Sequence, residues 1–141
     1  MPHAEMKPII SYDSAKELVD KALKHADQNG WSVCAVVVDP SGNLVAAGRM
    51  NGVPAPVFEY ANDKAYTATL GKSSRAFFER MNSSPELHMG MVNRPRVCAW
   101  DGGLPIIEEG QVIGGLGVSG AAGPDDVACG EAALTGLGLT G

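Results

Sequence analysis

The sequence predicts an α+β domain of three layers, with a central antiparallel sheet covered by helices on both faces. Strand-like runs come in pairs joined by short turns rich in Gly, Asn, Pro or Ser, the pattern of antiparallel hairpins. Those runs are apolar on both faces rather than alternating, so a sheet built from them needs cover on both sides. Helical periodicity appears before, between and after the hairpins, which supplies that cover.

The first helix is expected from about residue 12 to residue 28. Ala15, Leu18, Val19, Ala22, Leu23 and Ala26 make one apolar stripe at steps of three and four. Ser11 or Ser14 can cap it, Ser14 with Glu17 fitting a capping box, and Asn29-Gly30 stops it. Two runs follow, Trp31 to Val38 and Leu44 to Met50, around Asp39-Pro40-Ser41-Gly42-Asn43, and they read as a hairpin. Asn51 to Pro56 reads as a rigid loop. A helix is expected from Phe58 to Leu70, a second piece from Ser73 or Ser74 to Met81, and a short helix opened by Ser83-Ser84-Pro85-Glu86.

Val97 to Trp100 is read as a short strand, followed by a turn at Asp101-Gly102-Gly103. Leu104 to Glu108 and Gln111 to Ile113 flank Glu109-Gly110, a tight hairpin signal, and Gly114 to Ser119 prolongs the last strand. Pro124 to Leu137 fits a closing helix. The length of 141 residues suits one domain spanning 1–141.

Composition removes several function classes. A net charge of −5 argues against a nucleic-acid surface. No apolar run approaches the roughly 18 residues of a membrane span, and Met1-Pro2-His3-Ala4-Glu5 does not begin a signal peptide. Cys34, Cys98 and Cys129 are odd in number and widely spaced, which fits reduced thiols in a cytoplasmic protein.

Glycine is in excess, and 12 of the 18 glycines lie from Gly102 onward. Gly115-Leu-Gly117-Val-Ser-Gly120 matches GxGxxG, but the dinucleotide fingerprint also needs a further strand and an acidic residue about 20 positions on. With the sequence ending at residue 141 no dinucleotide site is expected. The glycines serve either as tight-turn residues or as places where an anion meets backbone N–H groups.

Other chemistry-bearing residues are sparse. Ser119 lacks the spacing of a nucleophile elbow. Cys34 and Cys98 fall in apolar runs, and Cys129 sits beside Asp125 and Asp126, where a thiol pKa rises. His3, His25 and His88 show no metal-ligand spacing, so no metal site is expected. His88, beside Met89 and Met91, is set apart only as a ligand toward haem iron. Arg49, Lys64 with Thr67 one turn later, Arg75, Arg94 and Arg96 form a cationic set able to hold a carboxylate or, equally, to sit in solvent as paired surface charge.

The order of landmarks resembles the GlcG/HbpS-like family, which includes the haem-binding C-terminal domain of PduO proteins. The matching stretches are Val36 to Val45 (VVVDPSGNLV), Arg49 to Gly52, Asp63 to Ala68 (DKAYTA), Gly102 to Ile106, Val112 to Gly120 (VIGGLGVSG), and Asp125 to Cys129. The resemblance implies a profilin-like fold, with an antiparallel sheet of about five strands between helices, and a homo-oligomer, from dimer to octamer. It also implies haem as the cofactor in some members and an accessory place in catabolic pathways in others.

These readings converge on a small-molecule-binding oligomer whose ligand carries a carboxylate, with haem as the implied cofactor. The expected pocket joins Arg49, Lys64, Thr67, Gly102, Gly103, Gly117, Ser119 and Gly120, with Trp100 or Phe58 as an apolar wall. One alternative is an enzyme acting on a small oxo- or hydroxy-acid by proton transfer, with Lys64 or Asp126 as the base. Another is a non-catalytic assembly protein. No nucleic-acid or membrane partner is expected.

Overall fold

Each helix starts where a side chain or a proline satisfies its first turn. The computed structural model describes residues 3–139, so Met1, Pro2, Thr140 and Gly141 of the expected domain lie outside the described residues. Helix α1 spans Tyr12–Gln28, and the Ser11 hydroxyl caps it by accepting the Ser14 N–H at 3.2 Å. Its stripe of Ala15, Leu18, Val19, Ala22 and Ala26 is buried. Strands β1 (Cys34–Val38) and β2 (Leu44–Arg49) form the first hairpin. Asp39 holds their turn by accepting the N–H groups of Ser41 and Asn43 at 2.9 and 3.0 Å.

Helix α2 spans Ala55–Ala68 and starts earlier than the expected Phe58. Pro54 and Pro56 read as loop residues, yet a proline is tolerated in a first turn because its missing N–H would have no helical partner there. Helices α3 (Ser74–Met81) and α4 (Pro85–Gly90) follow, capped by Ser73 and Ser84. Strands β3 (Gly103–Glu108) and β4 (Gln111–Ser119) meet at Glu109-Gly110. Both turn residues have positive φ, +51° and +76°, as the twist of a two-residue hairpin requires. Helix α5, Gly123–Gly136, closes the fold.

The sheet has four strands in the order β2-β1-β4-β3, every neighbouring pair antiparallel. The expected fifth strand at Val97 to Trp100 does not form. Its Cys98 N–H donates instead to the Thr67 hydroxyl at 2.8 Å, so a side chain of α2 takes the bond a ladder partner would have taken. Helices α1 and α5 cover one face, packing on Ala35, Val37, Ile106, Leu116 and Val118. Helix α2 covers the other, over Cys34, Val36 and Val38. Among the described residues no helix is long and apolar enough to cross a membrane.

The glycines of β4 explain how closely α2 lies. A Cβ on Gly117 would overlap the Ala61 carbonyl oxygen, and one on Gly115 would overlap that of Ala65. The helix answers with Ala61, Ala65 and Ala68, all fully buried. Backbone therefore rests on backbone, and the contact has no room for a methyl group. Gly117→Ala is expected to cost at least about 3 kcal/mol, since neither contacting backbone can yield. Gly90→Ala, at the end of α4 with nothing near the added carbon, should instead be neutral or stabilising by up to about 1 kcal/mol. Urea unfolding midpoints of the two variants check both.

Candidate functional site

The tight seating of α2 carries Lys64 to the end of the sheet where β4 runs out. The Lys64 backbone carbonyl lies against Gly103, where any side chain would overlap it. Its ammonium reaches past Gly102, whose added Cβ would come within 3.1 Å of Nζ and overlap the Val118 carbonyl oxygen. Gly102 also has φ +125°, a backbone region that favours glycine. Lys64 is 2% exposed and donates to the Val118 carbonyl at 2.9 Å, the Ser119 hydroxyl at 3.1 Å and Asp126 Oδ2 at 3.2 Å.

Asp126 comes from the first turn of α5, in the opposite helical layer. It is equally buried, and its Oδ1 accepts the Ala121 N–H at 2.9 Å. Burial pushes its carboxyl above the usual aspartate range, while the Lys64 charge and the Ala121 bond hold it back. The pair thus joins the two helical layers around the end of the sheet. An ammonium has three N–H donors, and here three acceptors meet them.

A cavity of about 570 Å³ opens beside this cluster. Lys64, Ser119 and Asp126 form part of one wall, with Trp100 and Asp101 next to them. Helix α3 supplies Arg75, Phe78 and Met81, helix α4 supplies His88, and the turn after it supplies Met91. The volume falls in the range of small-molecule sites.

Of the residues singled out from sequence, Lys64, Asp126, Ser119, Trp100, Arg75 and His88 come together on this cavity. Arg49 does not line it; its guanidinium donates to the Val53 carbonyl at 2.7 Å beyond the end of β2. Thr67 is buried, donating to the Asp63 carbonyl at 2.8 Å and holding Cys98. Gly102 and Gly103 lie under Lys64, Gly117 under Ala61, and Gly120 packs against Ser32 and Val33. None of these four lines the cavity, and Phe58 packs among the apolar residues under α2. The glycines that imitate a fingerprint thus make space for protein backbone.

Arg75 and Asp101 are the pair the sequence reading left unconnected. Arg75 Nε meets Asp101 Oδ1 at 3.0 Å and its NH2 group meets Oδ2 at 3.2 Å. They stand 26 residues apart in a stretch without periodic signal, so only the amphipathic α3, carrying Phe77 inward, hinted that this segment is ordered. Burial pushes the thiol pKa values of Cys34 and Cys129 up to about 11, with Asp126 and Asp125 adding to the effect at Cys129.

Lys64→Met leaves the Asp126 carboxyl buried without its counter-charge, and the variant is expected to lose about 3–5 kcal/mol near neutral pH. The loss should shrink with acidification. The unpaired carboxyl then has a folded pKa further above its unfolded value of about 3.9, so the folded state takes up a proton as pH falls through that window. Unfolding free energies of the variant and the wild type, compared from about pH 7 to about pH 4, test the sign.

Comparison with known proteins places this arrangement in a wider set. The family model described as haem degrading protein HbpS-like matches residues 10–135. Protein GlcG of Escherichia coli K12 is 34% identical over 114 residues, which cover 80% of this chain and 83% of GlcG. The crystal structure of Klebsiella pneumoniae protein ORFY superposes with a TM-score of 0.88 at 26% identity, covering 96% of this chain and 94% of ORFY. The haem complex of PduOC shares the fold, with a TM-score of 0.85 at 22% identity, covering 93% of this chain and 96% of PduOC. With its α+β fold and its match from residue 10 to residue 135, the chain belongs to the HbpS-like family.

Proposed function

We propose that the protein binds haem in the cavity beside Lys64 and acts as a small-molecule-binding accessory protein. The observation that carries this reading is the composition of the cavity lining around the buried ion pair. It combines the His88 imidazole with the thioethers of Met81 and Met91 and the rings of Phe78 and Trp100. An imidazole or thioether is a ligand for haem iron, and aromatic walls suit a flat apolar macrocycle. Among the described residues the His88 ring nitrogens take part in no hydrogen bond. The name of the PduOC complex supports the same ligand class in a protein of this fold.

Bound haem supplies a redox-active iron. The chain's own contributions are to bind and orient: His88 as the ring donor, Phe78 and Trp100 as apolar walls, and the Lys64–Asp126 pair as a rigid polar floor. Self-association belongs to the same reading, with exposed Leu44, Val92 and Trp100 as apolar surface. Native mass spectrometry gives its order.

A second reading, proton transfer on a small oxo-acid, has one observation in its favour. The Asp126 carboxyl borders the cavity and burial raises its pKa, as suits a proton acceptor. Lys64 is less suited to that task because its three donors are engaged.

Titration of the apo-protein with haemin tests the first reading. A saturable Soret shift at one haemin per chain is expected, and His88→Ala should weaken binding at least about tenfold and alter the band position. No Soret shift at stoichiometric haemin overturns it.

A further inference from the structure

We infer that Arg75, held ready by Asp101, recognises an anionic group on the ligand, and that the ligand class is a carboxylate on an apolar body. The inference rests on the cavity being the ligand site. Five cations were candidates for such a carboxylate; Arg94 and Arg96 do not line the cavity, and the geometry separates the other three. Lys64 has acceptors at 2.9, 3.1 and 3.2 Å, and its charge is matched by Asp126, so a ligand would have to displace one of them. Arg49 lies away from the cavity, where it donates to the Val53 carbonyl. Arg75 borders the cavity with its side chain 55% exposed.

The Arg75 guanidinium is oriented before any ligand arrives. Its Nε and one terminal nitrogen form a two-point fork with Asp101, at 3.0 and 3.2 Å. Its carbon lies 5.7 Å from the centre of the Phe78 ring. A guanidinium has five N–H donors, so at least three remain for another acceptor beside Asp101. Asp101 is the less exposed partner, its side chain 14% exposed, which leaves the outward edge of the fork to arginine. A planar donor edge fixed in this way costs little ordering entropy when it meets a carboxylate.

The position of the pair adds a second, independent point. A further cavity of about 370 Å³ lies against the pair, with Gly102, Gly103, Pro124 and Val127 in its wall. Arg75 and Asp101 line both cavities and form the wall they share. An anionic group at Arg75 would therefore stand at the wall the two cavities share, with the ligand's apolar body against Phe78, Met81 and Trp100. Asp101 does two opposed things there: it orients the guanidinium and it partly cancels the charge. Removing the carboxylate charge while keeping an oxygen acceptor should then strengthen anion binding, whereas removing the guanidinium should abolish the preference for anions.

The test uses 2-naphthoate and its neutral methyl ester, read by quenching of Trp100 in a Trp31→Phe background that leaves one tryptophan. The parent protein is expected to bind naphthoate about tenfold more tightly than the ester. Arg75→Gln should bring the two to equal affinity, Arg75→Lys should fall between, and Asp101→Asn should widen the preference severalfold. A pair that only braces the fold would weaken both probes together in both variants, and urea midpoints identify a variant that has lost its fold. A preference kept in Arg75→Gln, or narrowed in Asp101→Asn, overturns the assignment. Equal binding of the two probes by the parent overturns Arg75 alone. Quenching by neither probe overturns the cavity as the ligand site as well.

Discussion

The architecture depends on one contact, the seating of the α2 backbone directly on β4. Gly115 and Gly117 present no side chain, and Ala61 and Ala65 bring their carbonyl oxygens where a Cβ would have been. Shape alone holds this contact, because a backbone cannot rotate away as a side chain can. The same close approach sets the depth at which Lys64 leaves the helix. With a larger residue at Gly103 or Gly117, α2 would stand off the sheet and the ammonium would not reach Val118, Ser119 and Asp126 together.

The buried ion pair follows from that seating and is costly for its own reasons. Two charges taken out of water recover their solvation only if their hydrogen bonds are complete. Here the ammonium has three acceptors and each carboxylate oxygen has a donor. The satisfied pair ties α2 to the first turn of α5 from opposite sides of the sheet, and it makes a firm floor for the neighbouring cavity. The opposite wall is built otherwise. Helix α4 buries no residue, and His88 lies exposed on it, so the two sides of the cavity differ in rigidity.

Much of the fold was legible because its signals are local. The α1 stripe, the Asp39 turn, the Glu109-Gly110 hairpin and the Ser73 and Ser84 caps each act within a few residues, and each element formed where those signals stand. The two departures have physical causes. Pro54 and Pro56 entered the start of α2 because a first turn does not need their N–H groups. Val97 to Trp100 stayed out of the sheet because the Thr67 hydroxyl took the Cys98 N–H. A pattern of strand-forming residues shows a wish for a partner, and it does not show which partner is near.

By itself the sequence determined the element order, the antiparallel pairing and the two-sided cover, since these follow from periodicity, caps and turn chemistry. It also marked Lys64, Asp126, Ser119 and Trp100 as residues of interest. Only the tertiary structure decided what surrounds them. It turned the glycines from candidate ligand donors into clearance for α2, put Arg49 on a loop carbonyl, and brought Arg75 to Asp101 across 26 residues. The reason is the range of the forces involved. Helix and turn signals are settled between neighbours in the chain, whereas clearance, burial and ion pairing are settled between segments that meet only once the sheet has closed on its helices.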